Sequence, residues 1–349
     1  MNEIRRIAPA LFVAAIVVVS SCSKPPADES EPRAPSATKA AFLISTLQEE
    51  RYKKDRRYFE DVAKQKGLAP FTLSADNDNA RQLSQVEDAL SRGAKVLVIQ
   101  PTDSAAAAGY VAKAHAKGAK VVAYDRSIPG ADFYVAHDSY RVGAIQTEQA
   151  LQATGGAGNY VILSGQSGHS VALEITRAYR DSLQPYVDKG SVKIVMEKSH
   201  DAWSPEQALK TVEDAIAKTK GDIQAILANN SGMARGAVQA IQAAGLGGKR
   251  IFIAGADADA ANVNYVCEKK QSIEVLKDIK PLAEKAAEVA AALASGKPVD
   301  AKKDTSGVPV VAVPVILVTP ENVNAALVTS GFHTANALPS CKDWMAPGH

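Results

Sequence analysis

The chain has 349 residues, of which 46% are hydrophobic and 22% are charged, with 40 Lys and Arg against 38 Asp and Glu. These proportions are ordinary for a soluble globular protein and exclude a wholly disordered chain, a collagen-like repeat and a polytopic membrane protein. The net charge of +2, with no run of more than three Lys or Arg, disfavours nucleic-acid binding. At about 100–200 residues per domain, the length predicts two domains.

The first 22 residues have the organisation of an export signal. Arg5 and Arg6 precede an apolar stretch of 13 residues from Ile7 to Val19, which is shorter than the roughly 20 residues that a membrane-spanning helix needs. The sequence VSSC, ending at Cys22, resembles the cleavage box of bacterial lipoproteins. This resemblance implies that Cys22 becomes the first mature residue and carries lipid, so that a lipid anchor is the only membrane contact. A plain signal peptide with an incidental cysteine is the alternative.

Residues 23–39 contain four prolines and no aromatic side chain. Such a segment cannot bury enough apolar surface to form a packed core, so it predicts a flexible, extended linker. The linker would hold the globular part close to a membrane, in the periplasm or at the cell surface.

From about residue 40 onward, short apolar runs alternate with amphipathic helical segments. Apolar runs without polar alternation are typical of strands buried on both faces. The runs are Ala41–Ile44, Val96–Ile99, Val121–Tyr124, Tyr160–Leu163, Val192–Met196, Ile223–Leu227 and Ile251–Ile253. The helical segments are Arg51–Lys66, Asn79–Arg92, Ala105–Ala116, Pro205–Lys218 and Met233–Ala244. This alternation predicts an α/β fold of two doubly wound parallel-sheet lobes.

Polar and aromatic side chains follow the carboxyl ends of the predicted strands, where parallel sheets bind their ligands. Asp125 and Arg126 follow one strand, Trp203 and Asn230 follow two others, and Asp257 lies in the turn after the last. Carboxylates and amides form hydrogen bonds with hydroxyl groups, and arginine donates a planar fork. Aromatic faces cover the apolar face of a sugar ring. This set of side chains suits a neutral polyhydroxylated ligand.

Catalytic and cofactor motifs find little support. The six histidines are scattered without the spacing of metal ligands. The sequence SGHS at 167–170 is not a G-x-S-x-G nucleophile elbow. Neither the phosphate-binding nor the dinucleotide-binding glycine motif is present. We therefore predict a protein that is not an enzyme and that uses no cofactor and no metal.

Seven segments of the sequence, spread over most of the chain, resemble segments of one known protein family. They are ERYKKDR at 50–56, SQVEDALSRGAKVLVIQP at 84–101, VVAYDR at 121–126, QPYVDKGSVKIV at 184–195, DAWSPEQALK at 201–210, GADADA at 255–260 and SGFHT at 330–334. Together and in this order they resemble the periplasmic sugar-binding proteins of the ribose/galactose/xylose group, and within that group most closely the D-xylose-binding proteins of bacterial ABC transporters. The resemblance covers residues 40 to about 335.

The resemblance implies the periplasmic binding protein type I fold, with two lobes joined by a three-crossing hinge. The crossings are expected near Asp138–Gly143, Val275–Lys280 and Val313–Thr319. The N-terminal lobe would then contain residues 40–139 and 279–314. The C-terminal lobe would contain residues 140–278 and 315–345.

The resemblance also implies the residues that contact the sugar. They are Arg51, Tyr52, Asp125, Arg126, Trp203, Asn230, Asp257 and Lys277. Structural alternatives exist for several of them: a surface ion pair at Asp125 and Arg126, a hydrophobic staple at Trp203, a helix cap at Asp257 and a solvent-facing side chain at Lys277.

Four positions depart from the pattern of the xylose-binding proteins, in three places of the chain. Tyr52 stands where a tryptophan is usual, and it keeps an aromatic face. Val171 and Ala172 stand where a pair of asparagines is expected, and Ser231 replaces an aspartate. Because missing hydroxyl partners change sugar affinity strongly, the ligand is open between D-xylose, another pentose, a hexose and a deoxy sugar.

These features together predict an exported, lipid-anchored monomer that closes on a monosaccharide and delivers it to an ABC permease in the inner membrane. The alternative is a sensor that presents a sugar or a sugar-like signal to a membrane receptor. Sugar-sensing repressors share the fold, but a secretory segment occupies the place of their DNA-binding helices.

The cysteines left after lipidation of Cys22 are Cys267 and Cys341. Export favours a disulfide between them. In the family that the chain resembles, the tail packs on the second lobe, which also carries Cys267. We therefore predict a Cys267–Cys341 disulfide, with two free thiols as the alternative.

Overall fold

The computed structural model describes residues 37–48, 50–303 and 307–346. The predicted signal peptide, the lipidation site Cys22 and the linker up to residue 36 lie outside these residues. Across the described ranges, no helix combines the length and the apolar character that a membrane span requires.

Thirteen strands and nine α-helices lie in the described ranges. The strands are β1 (Thr38–Ile44), β2 (Leu68–Ser74), β3 (Val96–Ile99), β4 (Lys120–Tyr124), β5 (Phe133–His137), β6 (Gly158–Ser164), β7 (Val192–Ser199), β8 (Ala225–Ala228), β9 (Phe252–Ala256), β10 (Ile273–Leu276), β11 (Lys302–Lys303), β12 (Pro309–Val313) and β13 (Ile316–Val318). The α-helices are α1 (Glu50–Gln65), α2 (Asn79–Ser91), α3 (Ala108–Ala116), α4 (Ser139–Thr154), α5 (Ser170–Asp188), α6 (Pro205–Thr219), α7 (Ser231–Ala243), α8 (Ala260–Cys267) and α9 (Ile279–Ala294).

The strands form two sheets, one in each lobe. The first has the order β11-β12-β5-β4-β3-β1-β2, and the second has the order β13-β10-β9-β8-β6-β7. All neighbouring strands are parallel except the pairs β11–β12 and β10–β13, which are antiparallel. The predicted class, two doubly wound α/β lobes, is confirmed.

Each sheet is covered by helices on both faces, as the unbroken apolar runs predicted. In β1, Phe42 and Ile44 pack with the apolar side of α1 and α9. The alternating residues Ala41 and Leu43 pack with α2 and α3 on the other face. Helices α4 and α5 cover one face of the second sheet, and α6 and α7 cover the other. The carboxyl ends of β4, β8, β9 and β10 face the cleft between the lobes.

The chain crosses between the lobes three times. It passes from β5 of the first sheet to α4, which packs on the second, through Asp138. It returns from β10 to α9 through residues 277–278, and it crosses again between β12 and β13 through residues 314–315. The predicted three-crossing hinge is therefore confirmed.

Some element boundaries differ from the prediction for local reasons. Strand β1 begins at Thr38, so the sheet starts within the segment 23–39 that was predicted as linker. Helix α3 begins at Ala108 instead of Ala105, because the Asp103 carboxylate accepts from the Ala106 N–H and forms a separate turn. Helix α7 begins at Ser231, two residues early, because Asn230 caps it.

The C-terminal segment packs against the second lobe. Leu338 and Cys341 are fully buried in a cluster with Leu276 and Val318. Cys267, at the end of α8, is bonded through sulfur to Cys341, and their Cα atoms are 5.2 Å apart. The tail is therefore attached to the lobe by an apolar cluster and by one covalent link.

Candidate functional site

One small cavity between the lobes brings together all eight side chains that the sequence predicted as ligand contacts. Its wall is formed by Arg51, Tyr52, Asp125, Arg126, Val171, Trp203, Asn230, Asp257 and Lys277. The cavity has a volume of about 20 Å³, which suits a water molecule but not a sugar ring. A cavity of about 460 Å³ adjoins it and shares Arg51, Trp203, Asn230, Asp257 and Lys277. The larger volume is typical of small-molecule sites.

Both lobes and the hinge contribute to this wall. In the first lobe, the first turn of α1 carries Arg51, and Asp125 directly follows β4. In the second lobe, Asn230 follows β8 and Asp257 follows β9. Lys277 follows β10, on the second crossing. The site thus lies beyond the carboxyl ends of both parallel sheets, where ligands of this fold class bind.

Arg51 is the centre of an ion-pair network that joins the lobes. Its guanidinium nitrogens lie 3.6 Å from Asp55, 3.4 Å from Asp125 and 3.6 Å from Asp257. The last pair crosses the cleft. Lys277 Nζ lies 2.8 Å from the same Asp257 carboxylate. Among the described residues, Arg51 Nε and one terminal nitrogen are buried without a hydrogen-bond partner, and such donors cost about 1–3 kcal/mol each when nothing accepts from them.

The network sets the charge of Asp125. Burial raises the pKa of this carboxyl, but Arg51 and then Lys277 lower it further than burial raises it, so that the pKa lies well below its usual range. Asp125 is therefore an anion at neutral pH. Its Oδ2 also accepts from Gln100 Nε2 at 3.2 Å. Asp125 and Asp257 both have positive φ, of 62° and 98°, a conformation that is uncommon outside glycine and that often marks functional turns.

Asp55 belongs to the same network and was not predicted from the sequence. Burial raises its pKa to about 6, although Arg51 and a hydrogen bond from the Tyr124 hydroxyl lower it. Its position four residues after Arg51 on α1 could have indicated the pairing.

Arg126 holds the first lobe's side of the cavity. Its guanidinium donates to the Pro101 carbonyl at 2.9 Å and to the Tyr52 hydroxyl at 3.4 Å. Asp125 and Arg126 are 6% and 4% exposed, so the interpretation as a surface ion pair is wrong.

The other structural alternatives have mixed outcomes. Lys277 is 5% exposed, so it does not face solvent. The N-cap position of α8 is occupied by Asp259, so Asp257 does not cap that helix. Ser204 caps α6, accepting from the Gln207 N–H at 3.2 Å, and Trp203 directly precedes it, the position that a hydrophobic staple requires. The packing of Trp203 on the core of its lobe is compatible with its place in the cavity wall.

Trp203 forms a flat wall on the second lobe. Its ring lies so close to Gly165 that a Cβ atom at that position would be 2.4 Å from the ring. Its indole Nε1 donates to His169 Nδ1 at 2.9 Å. Both contacts hold the ring in one plane, and an indole held in this way presents the flat apolar face that sugar C–H groups pack on.

The four departures from the xylose pattern have different structural outcomes. The Tyr52 side chain and Val171 line the cavity, whereas Ala172 is buried elsewhere in the core. Ser231 is fully buried behind the cavity, and its hydroxyl donates to Glu274 at 2.8 Å. Val171 is therefore the position at which the cavity wall itself lacks a polar group.

Within the buried network around Arg51, the positive and negative side chains are equal in number. Three cations, Arg51, Arg126 and Lys277, face the carboxylates of Asp55, Asp125 and Asp257. Bringing a charged ligand into this buried network would leave an unpaired charge, which is costly, whereas hydroxyl groups can accept from the arginines and donate to the carboxylates. Within residues 37–48, 50–303 and 307–346, no group of three or more His, Cys, Asp and Glu side chains is arranged to hold a metal ion.

Two α/β lobes joined by three crossings, with a polar cleft at the carboxyl ends of both sheets, define a two-lobed ligand-binding protein of the periplasmic binding protein type I class. A family model described as "Periplasmic binding protein domain" matches residues 40–298, and the chain belongs to this family.

Relatives and solved structures support this membership over most of the chain. D-xylose-binding periplasmic proteins of Haemophilus influenzae and Escherichia coli are 34% and 36% identical to it, over 86% of this chain and 92% of each relative. The crystal structure of an ABC transporter solute binding protein from Clostridium phytofermentans with bound β-D-glucose has a TM-score of 0.80 and 28% identity, covering 86% of this chain and 100% of that one. Membership of the ribose/galactose/xylose group is confirmed, and the chain is a binding protein and not an enzyme.

Proposed function

We propose that this protein is a lipid-anchored, extracytoplasmic monomer that binds a monosaccharide between its lobes and delivers it to an ABC importer. The main support for the proposal is that all eight predicted contact residues line one cavity at the carboxyl ends of both sheets. Two buried Arg51 nitrogens are ion-paired with carboxylates but make no hydrogen bond of good geometry, so hydroxyl groups of a neutral ligand could accept from them.

D-xylose is the first candidate ligand. Two relatives above 30% identity are named for D-xylose, and Arg51, Asp125, Arg126, Trp203 and Asp257 supply the donors, acceptors and flat face that a pyranose needs. The aliphatic wall at Val171 favours a ligand that presents a C–H or deoxy position there. Related pentoses, hexoses and deoxy sugars therefore belong in the same screen.

Closure of the hinge is the mechanism that we propose for transport. A ligand that touches both lobes binds the closed form more tightly than the open form, so it shifts the equilibrium towards closure. The Arg51–Asp257 distance of 3.6 Å across the cleft shows how closely the two walls approach. The permease would then recognise the closed arrangement of the two lobe surfaces.

Isothermal calorimetry with the mature protein tests this function. The panel contains D-xylose, D-ribose, L-arabinose, D-glucose, D-galactose and L-fucose, with D-gluconate as an anionic control. We expect tight binding of at least one neutral sugar and none of gluconate. Asp257→Asn is the matched site variant, and Asp188→Asn, on the exposed end of α5, is the control that should keep full affinity. Absence of binding to every neutral sugar would contradict the proposal.

A further inference from the structure

A buried histidine outside the predicted contact set connects the two lobes. His169 is the N-cap residue of α5 in the second lobe and is 3% exposed. Its Nε2 lies 2.6 Å from the carbonyl oxygen of Thr102, which belongs to the first lobe. Because a carbonyl oxygen can only accept, Nε2 carries the proton and donates across the cleft.

The other ring nitrogen of His169 faces the aromatic wall of the site. Trp203 Nε1 lies 2.9 Å from His169 Nδ1. Because an indole N–H can only donate, Nδ1 is the unprotonated acceptor. The two hydrogen bonds therefore require the same neutral tautomer, and one imidazole holds both the cavity wall of one lobe and the backbone of the other.

The surroundings of His169 favour that neutral form. Burial lowers its pKa to about 4, and Arg126 lowers it as well, while the Thr102 carbonyl, Asp103 and Asp125 raise it by smaller amounts. An imidazolium would also carry a proton on Nδ1 and so direct an N–H at the indole N–H of Trp203. Protonation would break that bond.

We propose that His169 is a positioning residue that couples the sugar-facing Trp203 to closure of the lobes. In the closed form the same ring fixes the plane of Trp203 and donates to Thr102 of the opposite lobe, so a correctly seated indole and a closed cleft favour each other. A neighbouring contact supports this role, because the Ser127 N–H of the first lobe donates to Ser170 Oγ, one residue after His169, at 2.9 Å. This inference rests on the proposed sugar-binding function.

Two conservative variants of His169 each keep one of its two hydrogen bonds and remove the other. In His169→Asn the amide oxygen can occupy the place of Nδ1 and accept from Trp203, but the side chain is too short to reach Thr102. In His169→Gln the amide nitrogen can occupy the place of Nε2 and donate to Thr102, but the acceptor for Trp203 is lost. The reference protein is Trp344→Phe, which leaves Trp203 as the one tryptophan in the chain.

Fluorescence and calorimetry on these variants test the proposal. Without sugar, His169→Gln should change the emission of Trp203, whereas His169→Asn should keep the emission of the reference. With the sugar that binds the reference most tightly, each variant should lose about tenfold in affinity, the usual effect of one hydrogen bond. Between pH 6 and pH 4 the sugar affinity of the reference should fall more than that of either variant, because Asp55 titrates in all three proteins whereas only the reference has His169 to protonate.

Different results would contradict the role of His169 and the proposed sugar-binding function. Three results would each overturn the coupling role. Folded His169→Asn could bind the sugar as tightly as the reference does, or His169→Gln could show the same Trp203 emission as the reference. The third is that the affinities of all three proteins fall in parallel with pH. Circular dichroism and the melting temperature establish that each variant is folded. A reference protein that binds no sugar would instead refute the proposed function, and the emission of ligand-free His169→Gln would still decide whether His169 holds Trp203.

Discussion

Glu274 is a buried carboxyl directly behind the ligand site, and its titration provides a test of the structure. It lies in β10 and is 0% exposed. Its side chain accepts from the Ser231 hydroxyl at 2.8 Å, the Ala258 N–H at 3.0 Å and Gln271 Nε2 at 2.6 Å. Ser231 and Ala258 directly follow the proposed contacts Asn230 and Asp257, so Glu274 joins the two loops that carry them.

Burial raises the pKa of Glu274 to about 8 from its ordinary value of 4.5, although the hydrogen bonds from Gln271, Ser231 and Ala258 lower it. Between these two values the folded protein keeps a proton that the unfolded chain has released. Stability from this group is therefore fully present below about pH 4.5 and is lost as the pH rises through about 8. At about 1.4 kcal/mol per pH unit, the difference between the two pKa values corresponds to a loss of unfolding free energy of about 5 kcal/mol at most.

Glu274→Gln removes this titration because the amide is neutral at every pH. We expect the wild type to lose several kcal/mol of unfolding free energy relative to Glu274→Gln between pH 5 and pH 9, in urea titrations followed by circular dichroism. Glu213→Gln, at an exposed position on α6, is the matched control and should follow the wild type. A constant difference between wild type and Glu274→Gln across this range would refute the assignment of a raised pKa to Glu274.

Four further predictions follow from the site, the tail and the anchor. Asp257→Asn should weaken sugar binding by about 1–3 kcal/mol in calorimetry, and unchanged affinity would remove it from the site. Val171→Asn should strengthen binding of a fully hydroxylated pentose and lower the melting temperature; an unchanged affinity contradicts a ligand-facing position. For Cys267 and Cys341, separated by 74 residues, the double serine variant should lose about 4 kcal/mol at most, and two free thiols in the unreduced, denatured protein would exclude the bond. Cys22→Ser should abolish labelling by fatty acid, and persistent labelling contradicts lipidation there.

The sequence predicted the architecture well where the strands are uniform. The run at Val96–Ile99 lies in the middle of its sheet, so both of its faces need apolar residues and the pattern is unbroken. Strand β2 was missed because it lies at the edge of the sheet, contains a proline and is only half-buried. Strand β10 was missed because Glu274 interrupts a run of four residues. Strands β5, β11, β12 and β13 are also absent from the predicted runs, and for β2 and β10 the reason is tertiary position, which local composition does not report.

The side chains that line the candidate site were predicted from the sequence, whereas the residues that support them from behind were not. Asp125 and Asp257 are found because a strand end directs the residue that follows it towards the cleft. His169 reaches the cavity wall through Trp203, 34 residues away, and Glu274 reaches the Asn230 loop through Ser231, 43 residues away. Nothing in their own neighbourhood of the sequence indicates such a partner, so these roles emerge only from the folded arrangement.

Asp257 is a proposed ligand contact that is ion-paired both across the cleft and with the hinge. It belongs to the second lobe, yet it lies 3.6 Å from Arg51 of the first lobe and 2.8 Å from Lys277 on a hinge crossing. When the lobes separate, Arg51 must move away, whereas Lys277 directly follows the strand next to β9 and can stay. Lys277 then keeps the Asp257 carboxylate paired in the open cleft, and a sugar that bridges Asp257 and Arg51 supplies the attraction that draws the lobes together. In the proposed mechanism, the ion pair on the hinge thus keeps the Asp257 carboxylate in place for the ligand while the lobes are apart.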